Sequence, residues 1–160
     1  MVGGLVVAII IVVFLLIFYF IKRSDEMLSK LKIELKSKTP LLKVKNANCK
    51  TRDYESTELF WNKIDLNIYS EGLLLVYKNS ILHEYWYYNE KHKNFINNAE
   101  QKGLIHSLEF NKKDELIIIG SGGYSKMDLM YKQTIIIKFS TDLKPIKEAL
   151  AKADLNYKIS

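Results

Sequence analysis

Three histidines, one cysteine and a short glycine-rich tract are the residues of this chain that invite a chemical reading. His83, His92 and His106 have no metal-ligand spacing. Cys49 has no cysteine partner anywhere in the sequence, so neither a multi-thiolate site nor an intramolecular disulfide can be built on it. A thiolate beside a histidine would make a nucleophile and its base, but nothing in the spacing selects such a pair. His83 and His106 fall in predicted strands, where the plainer role is a hydrogen-bonded structural group. Gly120-Ser121-Gly122-Gly123 has the composition of a phosphate-cradling loop. It lacks both the lysine spacing and the strand-to-helix setting of one, and the tract therefore predicts a flexible loop. Glu84, Glu90, Asp114 and Glu115 fall at turns or strand ends with no geometry that would set one carboxyl as acid and another as base. The sequence predicts no catalysis, no cofactor and no bound metal.

Recognition chemistry is a better prospect than reaction chemistry. In Tyr85-Trp86-Tyr87-Tyr88, strand alternation puts Tyr85 and Tyr87 on one face and Trp86 and Tyr88 on the other. One face is core. The other either packs beneath a neighbouring segment or forms an aromatic strip, led by Trp86 and Tyr88, that contacts a partner or dips into lipid headgroups.

The element that must position all of this stands at the start of the chain. Val2 to Ile21 is a run of twenty residues without a charge, and at about 1.5 Å per residue a helix of that length covers roughly 30 Å, the hydrocarbon thickness of a bilayer. Only Met1 precedes it and Tyr19-Phe20-Ile21 ends it, so residues 1–21 read as a retained transmembrane anchor and not as a cleaved signal. Tyr19 can hold its hydroxyl at headgroup level. Between Lys22 and Lys38 stand six Lys/Arg and three Asp/Glu, against only the α-amino group on the other flank. By the positive-inside rule the N-terminus is outside and the rest is cytoplasmic, which makes this a single-pass protein of the cell membrane. Gly4 and Ala8 form a small-xxx-small pair through which two anchors could approach as a homo-oligomer.

The net charge of +6 is uneven. Residues 22–52 carry ten Lys/Arg and three Asp/Glu, whereas residues 53–160 carry fourteen and fifteen. The basic character belongs beside the membrane, which favours anionic lipid headgroups over nucleic acid as the electrostatic partner. Residues 22–40 predict an amphipathic helix from Ser24, its N-cap, to Lys38, with Glu26/Lys30 and Glu34/Lys38 pairs and a stripe of Met27, Leu28, Leu31 and Leu35. Lying flat, it would bring Lys22, Arg23, Lys30 and Lys32 to the headgroups. Pointing away, it would leave only Lys22 and Arg23 there, and its stripe would pack on the domain or on a copy of itself.

From Leu41 the periodicity is that of strands. Leu42 and Val44 begin one, Ile64–Tyr69 and Leu73–Lys78 form a hairpin about Ser70-Glu71-Gly72, and Ile81–Tyr88 is another β-rich run. Leu104–Phe110 and Glu115–Gly120 flank Asn111-Lys112-Lys113-Asp114 as a second hairpin, and Met130–Ser140 is the last strand. Lys91–Lys102 predicts a helix with Gly103 at its C-terminal cap. A final helix over Thr141–Ala153, capped by Thr141 or Asp142, carries the stripe Leu143, Ile146, Leu150 and Ala153. The fold class is α+β: a transmembrane helix, then an antiparallel curved sheet or small open barrel over 41–153 closed by the C-terminal helix, with a tail at 154–160.

The succession Thr134-Ile135-Ile136-Ile137-Lys138-Phe139-Ser140-Thr141-Asp142-Leu143, final strand into terminal helix, and the hairpin Ile68-Tyr69-Ser70-Glu71-Gly72-Leu73-Leu74-Leu75, resemble the bacterial pleckstrin-homology-like (PH-like) domains. The resemblance implies a binding module for lipids, peptides or proteins. It also implies headgroup contacts at Lys45 with Lys50-Thr51-Arg52, which resemble a lysine followed by a basic-x-basic triplet. The predicted helix at Lys91–Lys102 is an insertion in that family's pattern, and the terminal helix lacks the tryptophan common in eukaryotic members. The expectation is an anchored interaction or scaffold module with an unidentified protein partner. The alternatives are an accessory subunit acting through its transmembrane helix and a tethered hydrolase using Cys49 or a histidine.

Overall fold

Val2–Leu35 form one helix, α1, in a computed structural model that describes residues 2–53, 60–78, 84–99, 101–124, 131–153 and 155. Its apolar stretch makes α1 long and apolar enough to cross a membrane. The separate helix expected to begin at an N-cap on Ser24 does not exist, because Ser24 lies inside α1. A helix already propagating from the apolar run needs no new nucleus, and Ser24, Asp25 and Glu26 cost only a few tenths of a kcal/mol each, about 0.5, when it continues through them. The helix ends at Leu35, short of Lys38, and the bonds Lys36 N–H to Ile33 O and Lys38 N–H to Leu35 O tighten its exit.

Seven strands follow: β1 (Leu42–Asp53), β2 (Phe60–Tyr69), β3 (Gly72–Tyr77), β4 (Glu84–Tyr88), β5 (Gln101–Phe110), β6 (Glu115–Tyr124) and β7 (Tyr131–Lys138), then α2 (Lys144–Lys152). They pair in chain order and β7 returns to β1, so the barrel is closed. The α+β class and the terminal helix are as expected, but the sheet is mixed: β4 and β5 run parallel. A closed ring needs an even number of direction reversals, so seven strands cannot all be antiparallel to their neighbours. One parallel step is obligatory. To make it, the chain leaves the end of β4 and returns along the barrel's outside through residues 89–99 before starting β5.

That crossover corrects the helix predicted at Lys91–Lys102. Only Glu90–His92 form a turn of 3₁₀-helix, and Lys102 and Gly103 belong to β5. Within the crossover Ile96 and Ala99 are buried and Phe95 partly so. Asn94, Asn97 and Asn98 are poor helix formers, and the N–H groups that a helix would bond internally at 97 and 98 are taken by Glu34.

Two apolar clusters result. Inside the barrel lie Ile64, Leu66, Ile68, Leu73, Leu75, Ile135 and Ile137, met by Ile146, Ala149 and Leu150 of α2. Outside β2–β4, Leu74, Trp86 and Tyr88 lie under Ile96 and Ala99 of the crossover and Leu31 of α1. Strand β3 reads as a continuous apolar run because both of its faces are covered.

The tract Gly120-Ser121-Gly122-Gly123 is strand β6 and not a loop. Gly120 serves packing, since a Cβ there would stand 2.8 Å from Leu104 O, and one on Gly103 of the adjoining β5 would stand 2.6 Å from Tyr87 Cε1. The Tyr87 ring fills that room, and its hydroxyl donates to Gln133 Oε1 inside the barrel. The β5–β6 turn is as predicted, with Asn111 Oδ1 accepting from the N–H groups of Lys113 and Glu115 at 2.9 and 3.0 Å. Helix α2 starts later than predicted. Leu143 occupies its N-cap position, Asp142 Oδ1 accepts from the Lys144 N–H at 3.0 Å, and Pro145 sits in the first turn.

Candidate functional site at the anchor–barrel junction

Among the described residues, the last two turns of α1 join the barrel through an array of polar and aromatic groups. Leu31, spaced four residues before Leu35, buries itself in the outer cluster, while Leu35 packs at its edge. On the adjoining face Glu34 reaches the crossover. Its Oε1 accepts from the Asn97 N–H at 2.8 Å, and its Oε2 accepts from the Asn98 N–H and the Asn98 Nδ2 group, both at 2.9 Å. Lys38 adds an ion pair to Oε1 at 3.1 Å and lies 4.4 Å above the Phe95 ring. Burial pushes the Glu34 carboxyl up, but these donors and the Lys38 charge outweigh it and hold its pKa below the ordinary value. Lys102, on the outer face of β5, binds the Lys93 carbonyl at 3.3 Å. Its own pKa is lowered by burial, partly offset by Glu34 and reinforced by Lys93 and Lys38.

Under the crossover the rings are ordered. Phe95 lies 5.6 Å from Trp86 and 5.8 Å from Tyr69, and Tyr69 meets Trp86 edge-on at 6.0 Å. Trp86 has no exposed surface and Tyr88 almost none. These two residues form a packing layer beneath the crossover, and in this arrangement they offer no exposed strip. The Trp86 indole N–H is buried with no acceptor among the described residues.

Of the basic residues singled out in the sequence, Lys22, Arg23, Lys30 and Lys32 are all exposed on α1. Because the helix continues without a break, Lys30 stands about 12 Å along the axis from Lys22. Lys45, Lys50 and Arg52 lie along β1 and are not gathered into one cradle. Lys45 and Arg52 are exposed and Lys50 is half-buried, and Lys45 is about 16 Å of strand from Lys50, across a bulge. The bulge is pinned at Asn46, whose N–H bonds Asp65 Oδ1 at 2.9 Å while Lys78 pairs with Asp65 at 3.1 Å.

Cys49 points into the barrel, where its thiol lies 3.8 Å from the Tyr77 hydroxyl and burial pushes its pKa up to about 12. His106 is exposed on the outer wall, with Nε2 2.9 Å from Ser121 Oγ. It is not brought to Cys49, and His83 lies outside the described residues. No group of three metal-ligating side chains occurs among the described residues. A second concavity, an open groove of about 740 Å³, lies between the β5–β6 turn and the start of α2. It is lined by Lys113, Lys138 and Lys144, while Asp114 in its wall pairs with Lys147 at 3.7 Å.

Sequence reasoning missed Glu34 as a tertiary contact and saw it only as a helix-surface partner of Lys38. The signal available was the Asn-rich crossover, whose backbone donors need acceptors from elsewhere. No protein-family model, curated protein or solved structure matches this chain.

Proposed function

We propose that this protein is a single-pass, membrane-anchored interaction module that holds a small PH-like barrel at a fixed attitude near the cytoplasmic face of the cell membrane. The observation that carries the reading is the unbroken run of α1 from its apolar stretch to Leu31, Glu34 and Leu35, which grip the barrel's outer layer. A flexible tether would suit a domain that needs only to be near the membrane. A rigid strut fixes which surfaces face the lipid and which face a partner. The PH-like assignment is supported by seven strands followed by a terminal helix packed into the barrel's inner cluster. The parallel β4–β5 step departs from the all-antiparallel order of that pattern.

Lys22 and Arg23 then serve as the cytoplasmic interfacial charges, and headgroup attraction falls away within a Debye length of about 8 Å, short of Lys30. With a net charge near neutral beyond residue 52, the domain's partner is read as a protein or peptide and not nucleic acid.

Crosslinking and capture of the anchored protein, compared with a chain lacking residues 41–160, tests the reading. Loss of the captured partner on truncation supports it. Retention of the partner by the truncated chain, together with its loss when residues 2–21 are exchanged for an unrelated anchor, would transfer the function to the transmembrane helix. Topology is tested with a cysteine added at the exposed Lys112, because the buried Cys49 cannot report on it. Labelling of that cysteine in intact cells would reverse the orientation.

A further inference from the structure

The crossover 89–99 is held differently from the strands beneath it. It contributes no strand to the sheet, and its apolar anchors are Phe95, Ile96 and Ala99. From the barrel, Lys102 of β5 bonds its Lys93 carbonyl at 3.3 Å, and from outside the barrel two of its backbone N–H groups and one side-chain amide all end on a single carboxylate of α1, Glu34. Charge-assisted bonds of this kind are the strong ones. Beneath the segment, Trp86 keeps a buried indole N–H without an acceptor among the described residues, which disfavours the covered arrangement relative to one in which water or another acceptor reaches it. Covering is therefore favoured by apolar burial and by the contacts to α1, and opposed by the indole N–H beneath it.

We propose that Glu34 is a latch through which the membrane helix holds the crossover closed over the aromatic face of β2–β4, so that displacing the helix end loosens this strap while the barrel stays folded. The inference rests on the reading of α1 as a membrane anchor. The strap belongs to the low-stability end of the domain, where local opening is cheapest. The barrel rungs on either side of it are paired independently of α1: β3 with β2 and β4, and β5 with β6. Pulling or tilting the helix is thus felt first at Asn97 and Asn98.

The experiment is amide hydrogen exchange on the full-length chain in thin and in thick phosphatidylcholine bilayer discs, comparing wild type with Glu34→Ala and Glu34→Gln. Expected for Glu34→Ala is exchange at residues 97 and 98 faster by about tenfold or more, with the amides of Leu73–Leu75 unchanged. In wild type, exchange at the strap should differ several-fold between the two bilayers, since mismatch works on the helix end with fractions of a kcal/mol per Å, and Glu34→Ala should abolish that difference. Equal strap protection in wild type and Glu34→Ala overturns the latch, and so does a wild-type strap indifferent to bilayer thickness. If Glu34→Ala unfolds the barrel, Glu34→Gln gives the same comparison, because it keeps one acceptor oxygen and loses the charge. A chain that fails to float with liposomes sinks the anchor reading instead, and the Glu34 comparison in detergent still decides the latch.

Discussion

Trp86 separates a packed outer layer from an exposed binding strip, and the cost of removing it can be worked from its surroundings. The side chain has no exposed surface, and its ring lies 5.6 Å from Phe95 and 6.0 Å from Tyr69. Gly72 is cut to fit it, since a Cβ there would stand 2.5 Å from the indole and also meet the Tyr87 carbonyl. Truncating a fully buried tryptophan costs about 3–5 kcal/mol, a large part of the roughly 5–15 kcal/mol that holds a domain together. At about 4 °C per kcal/mol for a domain of this size, Trp86→Ala should lower Tm by about 12–20 °C. Trp86→Phe is the informative companion. The indole N–H has no acceptor among the described residues, so only volume is removed, and a fall of about 4–8 °C is expected, from about 1–2 kcal/mol. The assay is a thermal melt of the full-length protein in detergent, followed by circular dichroism. If Trp86→Ala shifts Tm by less than about 4 °C, Trp86 is not packed beneath the crossover and the outer layer described above is wrong. If Trp86→Phe costs as much as Trp86→Ala, the indole N–H has a partner that matters.

Gly103→Ala should destabilise the barrel by about 1–3 kcal/mol through overpacking against Tyr87, whereas Gly122→Ala, whose new methyl would have no neighbour nearer than 3.7 Å, should fall within about 1 kcal/mol of wild type; denaturant titration compares the two. Cys49, buried and with its thiol pKa near 12, should resist iodoacetamide at pH 8 in the folded protein and react fully once unfolded, as mass spectrometry will show; rapid alkylation under native conditions would contradict the barrel interior assigned to it. Acid should weaken the Glu34 latch. A carboxyl whose folded pKa lies below its unfolded value of 4.5 contributes its full stability above that value and loses it as pH falls through the folded pKa. The emission of Trp86 in a Trp61→Phe background should therefore change below pH 4.5 in wild type and stay flat over the same range in Glu34→Gln.

What the sequence made legible was whatever depends on local pattern. The alternation of Ile64, Leu66 and Ile68 with Asp65 and Asn67 identified β2 and its buried face. Asn111 identified the β5–β6 turn, and Pro145 with the Ile146/Leu150 stripe identified α2. The long apolar helix was legible from length and apolarity alone. Three features were not legible, each for a reason of range. Gly120 looks like a loop residue until Tyr87, more than thirty positions away, is seen to need its missing side chain. Ser24 looks like a helix start until the preceding helix is known to run through it. Lys91–Lys102 has a helical apolar spacing, yet the bonds that Asn97 and Asn98 make with Glu34 lie more than sixty residues back in the chain.

The placement of the candidate site follows from the number of strands. With six or eight strands a barrel can close with every neighbour antiparallel, its turns can all be short, and no stretch of chain need lie on its wall. Seven strands force one parallel step, and a parallel step forces a crossover that travels the length of a strand. That crossover brings Phe95, Ile96 and Ala99 onto the outer wall, which is why Leu74, Trp86 and Tyr88 can be apolar on the face that would otherwise meet water. It also brings backbone donors that the sheet does not use. Helix α1, arriving beside it, then needs only one acidic residue at the right position to join the barrel, and Glu34 occupies that position. A strand added or removed in the barrel would take away the parallel step, and with it the crossover, the covered aromatic face and the point of attachment of α1 together.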